Sequence, residues 1–215
     1  MEFKKEMLLL YGISDRSLTG RQTLYEQVEE ALKGGITILQ LREKHLDEEA
    51  FTKEAVEIGR LCHSYHVPLI INDNVQVALK SGADGVHVGI EDMPVKKIRE
   101  LAGRDFIIGA TAKTVEQAKN AEKNGADYLG VGAVFPSPTK KSAIRITREN
   151  LREICSGVKI PTVAIGGINR SNALEMKGGG MDGIAVVSAI FGAENIEQAT
   201  CELKEKAKEA VYGKR

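Results

Sequence analysis

No run of apolar residues in this 215-residue chain reaches the ~20 needed to span a bilayer, so a helical membrane protein is excluded. The chain has no excess charge either: Lys plus Arg equals Asp plus Glu at 30 each, which favours neither nucleic acid nor an anionic membrane as a bulk partner. Cysteine is scarce. Cys62, Cys155 and Cys201 are far apart, odd in number and without metal-ligand spacing, which suits a reducing cytoplasm. The start, MEFKKEMLLLYGISD, has two neighbouring lysines and a short apolar run but no small-residue cleavage site. It is therefore expected to enter a strand directly rather than to be a signal peptide. There is no low-complexity stretch or linker, and 42% apolar residues are enough for one sizeable core, so residues 1–215 are expected to form one domain. Also missing are a Ser–His–Asp set, a Cys–His pair, zinc-ligand spacing and a GxGxxG after the first strand-like run.

What is present is a steady alternation. Strand-length apolar runs occur at 8–14, 36–42, 68–73, 85–89, 106–111, 128–135, 161–168 and 183–190. Most are apolar on both pleat faces, as in a parallel sheet covered on both sides. Helical patterns lie between them: Leu24, Val28, Ala31 and Leu32 share one face, as do Ile196, Ala199, Leu203 and Ala207. Thr114 with Gln117 reads as a capping box, and Pro94 as a first helical residue. Three segments, SGADGVHVG (81–89), NGADYLGVG (124–132) and GGMDGIAVV (179–187), repeat one plan of helix-ending glycine, acidic turn and strand. The fold class expected is α/β, a single (β/α)8 TIM barrel. A doubly wound open sheet shares the alternating pattern and is the other architecture to weigh.

Barrels of this kind build their sites where the C-terminal strand ends meet the following loops. Those ends are polar here: Gln40, Arg42 and Lys44; Asn72 and Asp73; His87, with Asp92 in its loop; Thr111; Ser137, Thr139, Lys140 and Lys141; Gly166 and Gly167; Val187 and Ser188. Each group has a plain structural reading beside the functional one. Arg42 and Lys44 form either a solvated face next to Glu43 or an anion site on one side of a strand. Asp73 and Asp92 each precede a helix-like segment and so read as N-caps, or together as ligands of Mg²⁺. His87, in an apolar strand, reads first as a satisfied core histidine. The glycines of AIGGIN (164–169) either ease a turn or let a phosphate approach the backbone. The set points to two anionic moieties, a diphosphate and a monophosphate, and to transfer of a group from a diphosphate ester to a phosphorylated acceptor.

Six segments carry a resemblance. QLREK (40–44), IIND (70–73), ADGVHVGIED (83–92), DYLGVGAVFPSPTKK (127–141), AIGGI (164–168) and DGIAVVSAI (182–190) are, in order over nearly the whole chain, similar to the thiamine phosphate synthase family. The resemblance implies a transferase of thiamine biosynthesis. It condenses 4-amino-2-methyl-5-(diphosphooxymethyl)pyrimidine with 4-methyl-5-(2-phosphooxyethyl)thiazole by dissociative loss of diphosphate. Carried over residue by residue, it implies that Gln40, Leu41, Arg42, Glu43, Lys44, Asn72, Thr111 and Lys140 meet the pyrimidine diphosphate. Arg42, Lys44, Thr111 and Lys140 would be the catalytic contacts. Ser137, Pro138, Thr139, Gly167, Val187 and Ser188 would take the thiazole phosphate, and Asp73 and Asp92 would hold Mg²⁺. Three positions depart from the family pattern: Ile90 stands for a usual glutamine, Ser137 for threonine and Thr111 for serine. The expected partners are these two small molecules, with neither nucleic acid nor membrane, and a homo-oligomer stays open. The rival readings are the sister thiazole tautomerase, which carries a histidine where this chain has Ala133, and a non-catalytic barrel that binds thiamine precursors.

Overall fold

The computed structural model describes residues 3–20, 22–136 and 145–213. Eight parallel strands close on themselves: β1 (Leu10–Ile13), β2 (Ile38–Leu41), β3 (Leu69–Asn72), β4 (Gly85–Val88), β5 (Ile107–Ala112), β6 (Tyr128–Gly132), β7 (Thr162–Ile165) and β8 (Gly183–Val186). β1 pairs with β8 through Leu10–Ile184 and Gly12–Val186, which completes the ring and sets aside the open sheet. The period of two along each strand divides the core in two. Inward residues Tyr11, Ile13, Ile38, Ile70, Ile107, Tyr128, Val163 and Ala185 fill the barrel. Outward residues such as Leu39, Leu41, Ile71, Val86, Ile108, Leu129 and Ile184 pack beneath the helices. This is why the strands read as apolar on both faces.

Among the described residues the helices are α1 (Leu24–Gly34), α2 (Glu48–Ser64), α3 (Val75–Ser81), α4 (Val95–Ala102), α5 (Val115–Lys123), α6 (Arg148–Ser156), α7 (Ser188–Phe191) and α8 (Ile196–Tyr212). Their number meets the expectation but their placing differs. The β7–β8 crossover has only a 3₁₀ turn at Ala173–Met176, whereas two helices follow β8. The strand expected over 183–190 ends at Val186, and its last apolar residues form α7. Thr114 caps α5 by accepting from Gln117 N–H, but the Gln117 side chain accepts from Lys113 N–H, so the reciprocal box is shifted by one residue. A full capping box stands at Thr23 and Glu26 of α1. Pro94 is the residue before α4 rather than its first. On α8, Thr200 rather than Ala199 is fully buried, and its hydroxyl bonds back to Ile196 C=O at 2.7 Å.

The repeated acidic turn has a structural job at the N-terminal rim. Asp84 donates its N–H to Leu69 C=O and accepts Leu69 N–H on its carboxylate. Asp127 does the same with Ile108, and Asp182 with Thr162. Thr37, with a hydroxyl in place of the carboxylate, does so with Leu10. Each clamp joins an odd strand to the even strand that follows, so the three repeats seen in the sequence have a fourth member that lacks the acid. The three cysteines are free.

Candidate active site at the C-terminal rim

The strand order brings the expected residues from β2, β3, β4 and β5 to one rim. Arg42 follows β2, and its N–H donates to Ser14 Oγ at 3.0 Å while its guanidinium lies 3.3 Å from Asp15. Lys44 Nζ donates to Asp73 Oδ2 at 2.8 Å, which joins the end of β2 to the end of β3. The other two residues of that segment turn elsewhere. Leu41 is fully buried among the outward-facing residues, so only its backbone is open to a ligand. The Glu43 side chain is 2% exposed and is held by Arg16, which also grips Glu54.

The β3 end resolves one of the alternatives. Asn74, not Asp73, caps α3 by accepting Val77 N–H at 3.0 Å. Asp73 sits in the left-handed region at φ 59°, a conformation that costs a non-glycine residue about 1 kcal/mol, and its N–H donates to His87 C=O. This kink presents its carboxylate to Lys44 and to Asn72 Nδ2. Asn72 Oδ1 is buried and, among the described residues, has no hydrogen-bond partner. A buried acceptor left so costs about 1–3 kcal/mol, which is recovered when a donor arrives. Asp92 is not a helix cap either: it accepts Gly89 N–H at 2.7 Å inside the β4 loop. The two carboxylates therefore stand at the ends of adjacent strands. Among the described residues no three His, Cys, Asp or Glu side chains form a metal cluster. Two carboxylates are nonetheless the usual protein share of a Mg²⁺ site completed by water and substrate phosphate.

Beneath this rim lies a buried polar chain that the spacing of polar strand ends did not disclose. Gln40 Nε2 donates to Tyr11 Oη at 2.9 Å, Tyr11 Oη meets Tyr128 Oη at 2.7 Å, Tyr128 Oη meets His87 Nδ1 at 3.1 Å, and His87 Nε2 meets Thr111 Oγ1 at 3.1 Å. His87 is thus the satisfied core histidine of the plain reading. Burial pulls its pKa down to about 4, against a smaller opposing pull from Asp92. Burial raises both tyrosines. A signal for this chain exists in the sequence: Gly109 and Gly130 occupy inward strand positions where side chains would fill the barrel.

On the far side, Gly166 and Gly167 have φ of 104° and 63°. A Cβ at Gly167 would lie 2.2 Å from Pro136 O and 2.8 Å from Phe135 Cβ, so the neighbouring β6 loop itself requires this glycine, apart from any ligand. Val187 and Ser188 form the entry to α7. A short extra helix after β8 is a common phosphate-binding device of barrels. Ser137, Pro138, Thr139 and Lys140 lie outside the described residues.

A closed parallel barrel with cations, two acids and a glycine turn at its C-terminal rim has the architecture common among phosphate-binding barrel enzymes. A family model described as thiamine monophosphate synthase matches residues 10–190. The chain is 47% identical to the thiamine-phosphate synthase of Clostridium acetobutylicum over 87% of this chain and 89% of that one. It is 43% identical to that of Methanobrevibacter smithii over 94% and 96%. The solved thiamine phosphate pyrophosphorylase from Pyrococcus furiosus superposes with a TM-score of 0.89 at 44% identity, covering 96% of this chain and 98% of that one. The chain belongs to the thiamine monophosphate synthase family.

Proposed function

We propose that this chain is a thiamine phosphate synthase, a transferase that moves a pyrimidinylmethyl group from its diphosphate to the ring nitrogen of the thiazole phosphate. The whole chain acts as one catalytic domain on two small molecules, in the cytoplasm. The C–O bond to the diphosphate breaks with its electron pair leaving on the diphosphate oxygen. The thiazole nitrogen lone pair then forms the new C–N bond. No protein nucleophile is needed; the protein must hold the leaving group, aim the acceptor and keep water out.

Gln40 and Asn72 face the aminopyrimidine, and Leu41 and Glu43 contribute backbone only. Arg42, Lys44, Thr111 and Lys140 hold the diphosphate. Ser137, Pro138 and Thr139 with Gly167, Val187 and Ser188 take the thiazole phosphate. Asp73 and Asp92 would hold Mg²⁺, which when bound offsets charge on the departing diphosphate. The observation that carries this reading is the Asn72–Asp73 corner. A strained backbone aims one carboxylate at Lys44, beside a buried acceptor that has no partner among the described residues. Left-handed non-glycine residues cluster at ligand sites, so this kink, beside a cation and that buried acceptor, supports the reading. The named relatives, 43–47% identical, support the synthase over the tautomerase.

The test is to mix the purified protein with both substrates and measure pyrophosphate. Stoichiometric release with thiamine phosphate formed is expected. Isomerisation of a thiazole phosphate without pyrophosphate would favour the tautomerase, and binding of both compounds without turnover the silent barrel.

A further inference from the structure

The buried chain has a direction. Its first member, the Gln40 Nε2 amide, can only donate. Tyr11 Oη receives that bond, and Tyr128 Oη is the one acceptor its own buried proton has among the described residues, so Tyr11 donates to Tyr128. Tyr128, already an acceptor, gives its proton to the one remaining partner, His87 Nδ1. A ring nitrogen that accepts carries no proton, so the ring is neutral and holds its hydrogen on Nε2, which donates to Thr111 Oγ1. The Thr111 proton is then the one member of this relay left without an acceptor among the described residues.

We infer that Tyr11, Tyr128 and His87 are positioning residues that fix the Thr111 hydroxyl as a donor aimed at the leaving diphosphate. This rests on the reading of Thr111 as a diphosphate contact. A free threonine hydroxyl is both donor and acceptor, and many of its orientations present lone pairs to an anion. The relay removes that choice before substrate arrives, and a preorganised donor needs no reorganisation at the moment of reaction. The same wire links Gln40, on the pyrimidine side, to Thr111, on the diphosphate side, across the barrel.

The interior is built around this wire. A Cβ at Gly109 would lie 2.1 Å from Tyr128 Cζ and 2.5 Å from His87 Nδ1, and one at Gly130 would lie 2.9 Å from His87 Cε1. Two inward positions are thus left without side chains for the two rings to meet. Phe3 stacks on Tyr128 with ring centroids 5.6 Å apart. Tyr11 and Tyr128 meet edge to face at 5.9 Å.

The imidazole tautomer reports the direction. In ¹⁵N-labelled full-length protein, with only four histidines to assign, His87 is expected to be neutral with its proton on Nε2. A proton on Nδ1 would mean that the wire runs the other way, with Thr111 donating inward, and would overturn the inference. This readout needs neither substrate nor turnover, so it stands apart from the enzymatic reading, which fails separately if wild type releases no pyrophosphate. Tyr128→Phe should lose the fixed tautomer and lower kcat by about ten- to a hundredfold, the worth of one hydrogen bond to a charged group. KM for the thiazole phosphate should hold. In a Thr111→Val background, Tyr128→Phe should cost almost nothing more; an equal loss there would make Tyr128 merely structural.

Discussion

At the scale of the residue, the sequence names the chemistry but leaves its owner ambiguous. In Asn72–Asp73–Asn74 any of the three side chains suits a helix cap or a ligand, and only the backbone assigns the cap to Asn74 and the half-buried carboxylate facing Lys44 to Asp73. Gly167 was legible as special, but the close approach it permits is to Pro136 of its own chain. A bulky substitution there disturbs the β6 loop before it reports on phosphate. The left-handed Asp73 gives a cleaner test, because glycine adopts φ 59° without strain. Asp73→Gly should hold stability within about 1 kcal/mol of wild type or raise it, while turnover falls by on the order of 10²-fold as a preorganised charge is lost. Denaturant midpoints and steady-state rates check both halves. A variant that turns over normally would remove Asp73 from the site.

At the scale of the element, strands were legible wherever both pleat faces are buried, since a continuous apolar run bounded by turns fits a covered strand and little else. The end of β8 was not, because VVSAI is equally apolar as strand or as helical turn, and α7 takes its last residues. The β7–β8 crossover, where the alternation predicts a helix, has only a 3₁₀ turn, followed by glycines at 178–180, two of them with positive φ. The loop after β2 shows how an element holds a site without touching ligand. Arg16, just after β1, grips Glu43 and Glu54 and so fixes the backbone between Arg42 and Lys44. Arg16→Ala leaves the nearly buried Glu43 carboxylate without its cation and, among the described residues, with only the Lys44 N–H. Because Arg16 itself is partly exposed, the cost should be about 1–2 kcal/mol, less than for a fully buried pair. KM for the pyrimidine diphosphate should rise, and KM for the thiazole phosphate should stay. Equal rises in both would place the effect on the barrel as a whole.

At the scale of the whole molecule, the two rims divide the labour: one carries the candidate chemistry and the other closes the ring. Asp182→Ala should lower the unfolding free energy by about 1–3 kcal/mol, because Thr162 N–H loses a buried acceptor. Turnover at temperatures well below the melting point should keep its wild-type value; a fall there would show that the rims are mechanically coupled. The barrel and its polar rim were readable from one chain because alternation and strand ends are local patterns. The interior wire was not, because Tyr11 and Tyr128 stand 117 positions apart and meet only once the ring has closed. The N-terminal clamps carry one more consequence. They bind β1 to β2, β3 to β4, β5 to β6 and β7 to β8; at that rim, among the described residues, the joints between those pairs carry backbone bonds without such a clamp. At that rim the cylinder is therefore coopered from four double staves rather than eight single ones, with four plainer seams between them, one of which is the β8–β1 join that completes the hoop.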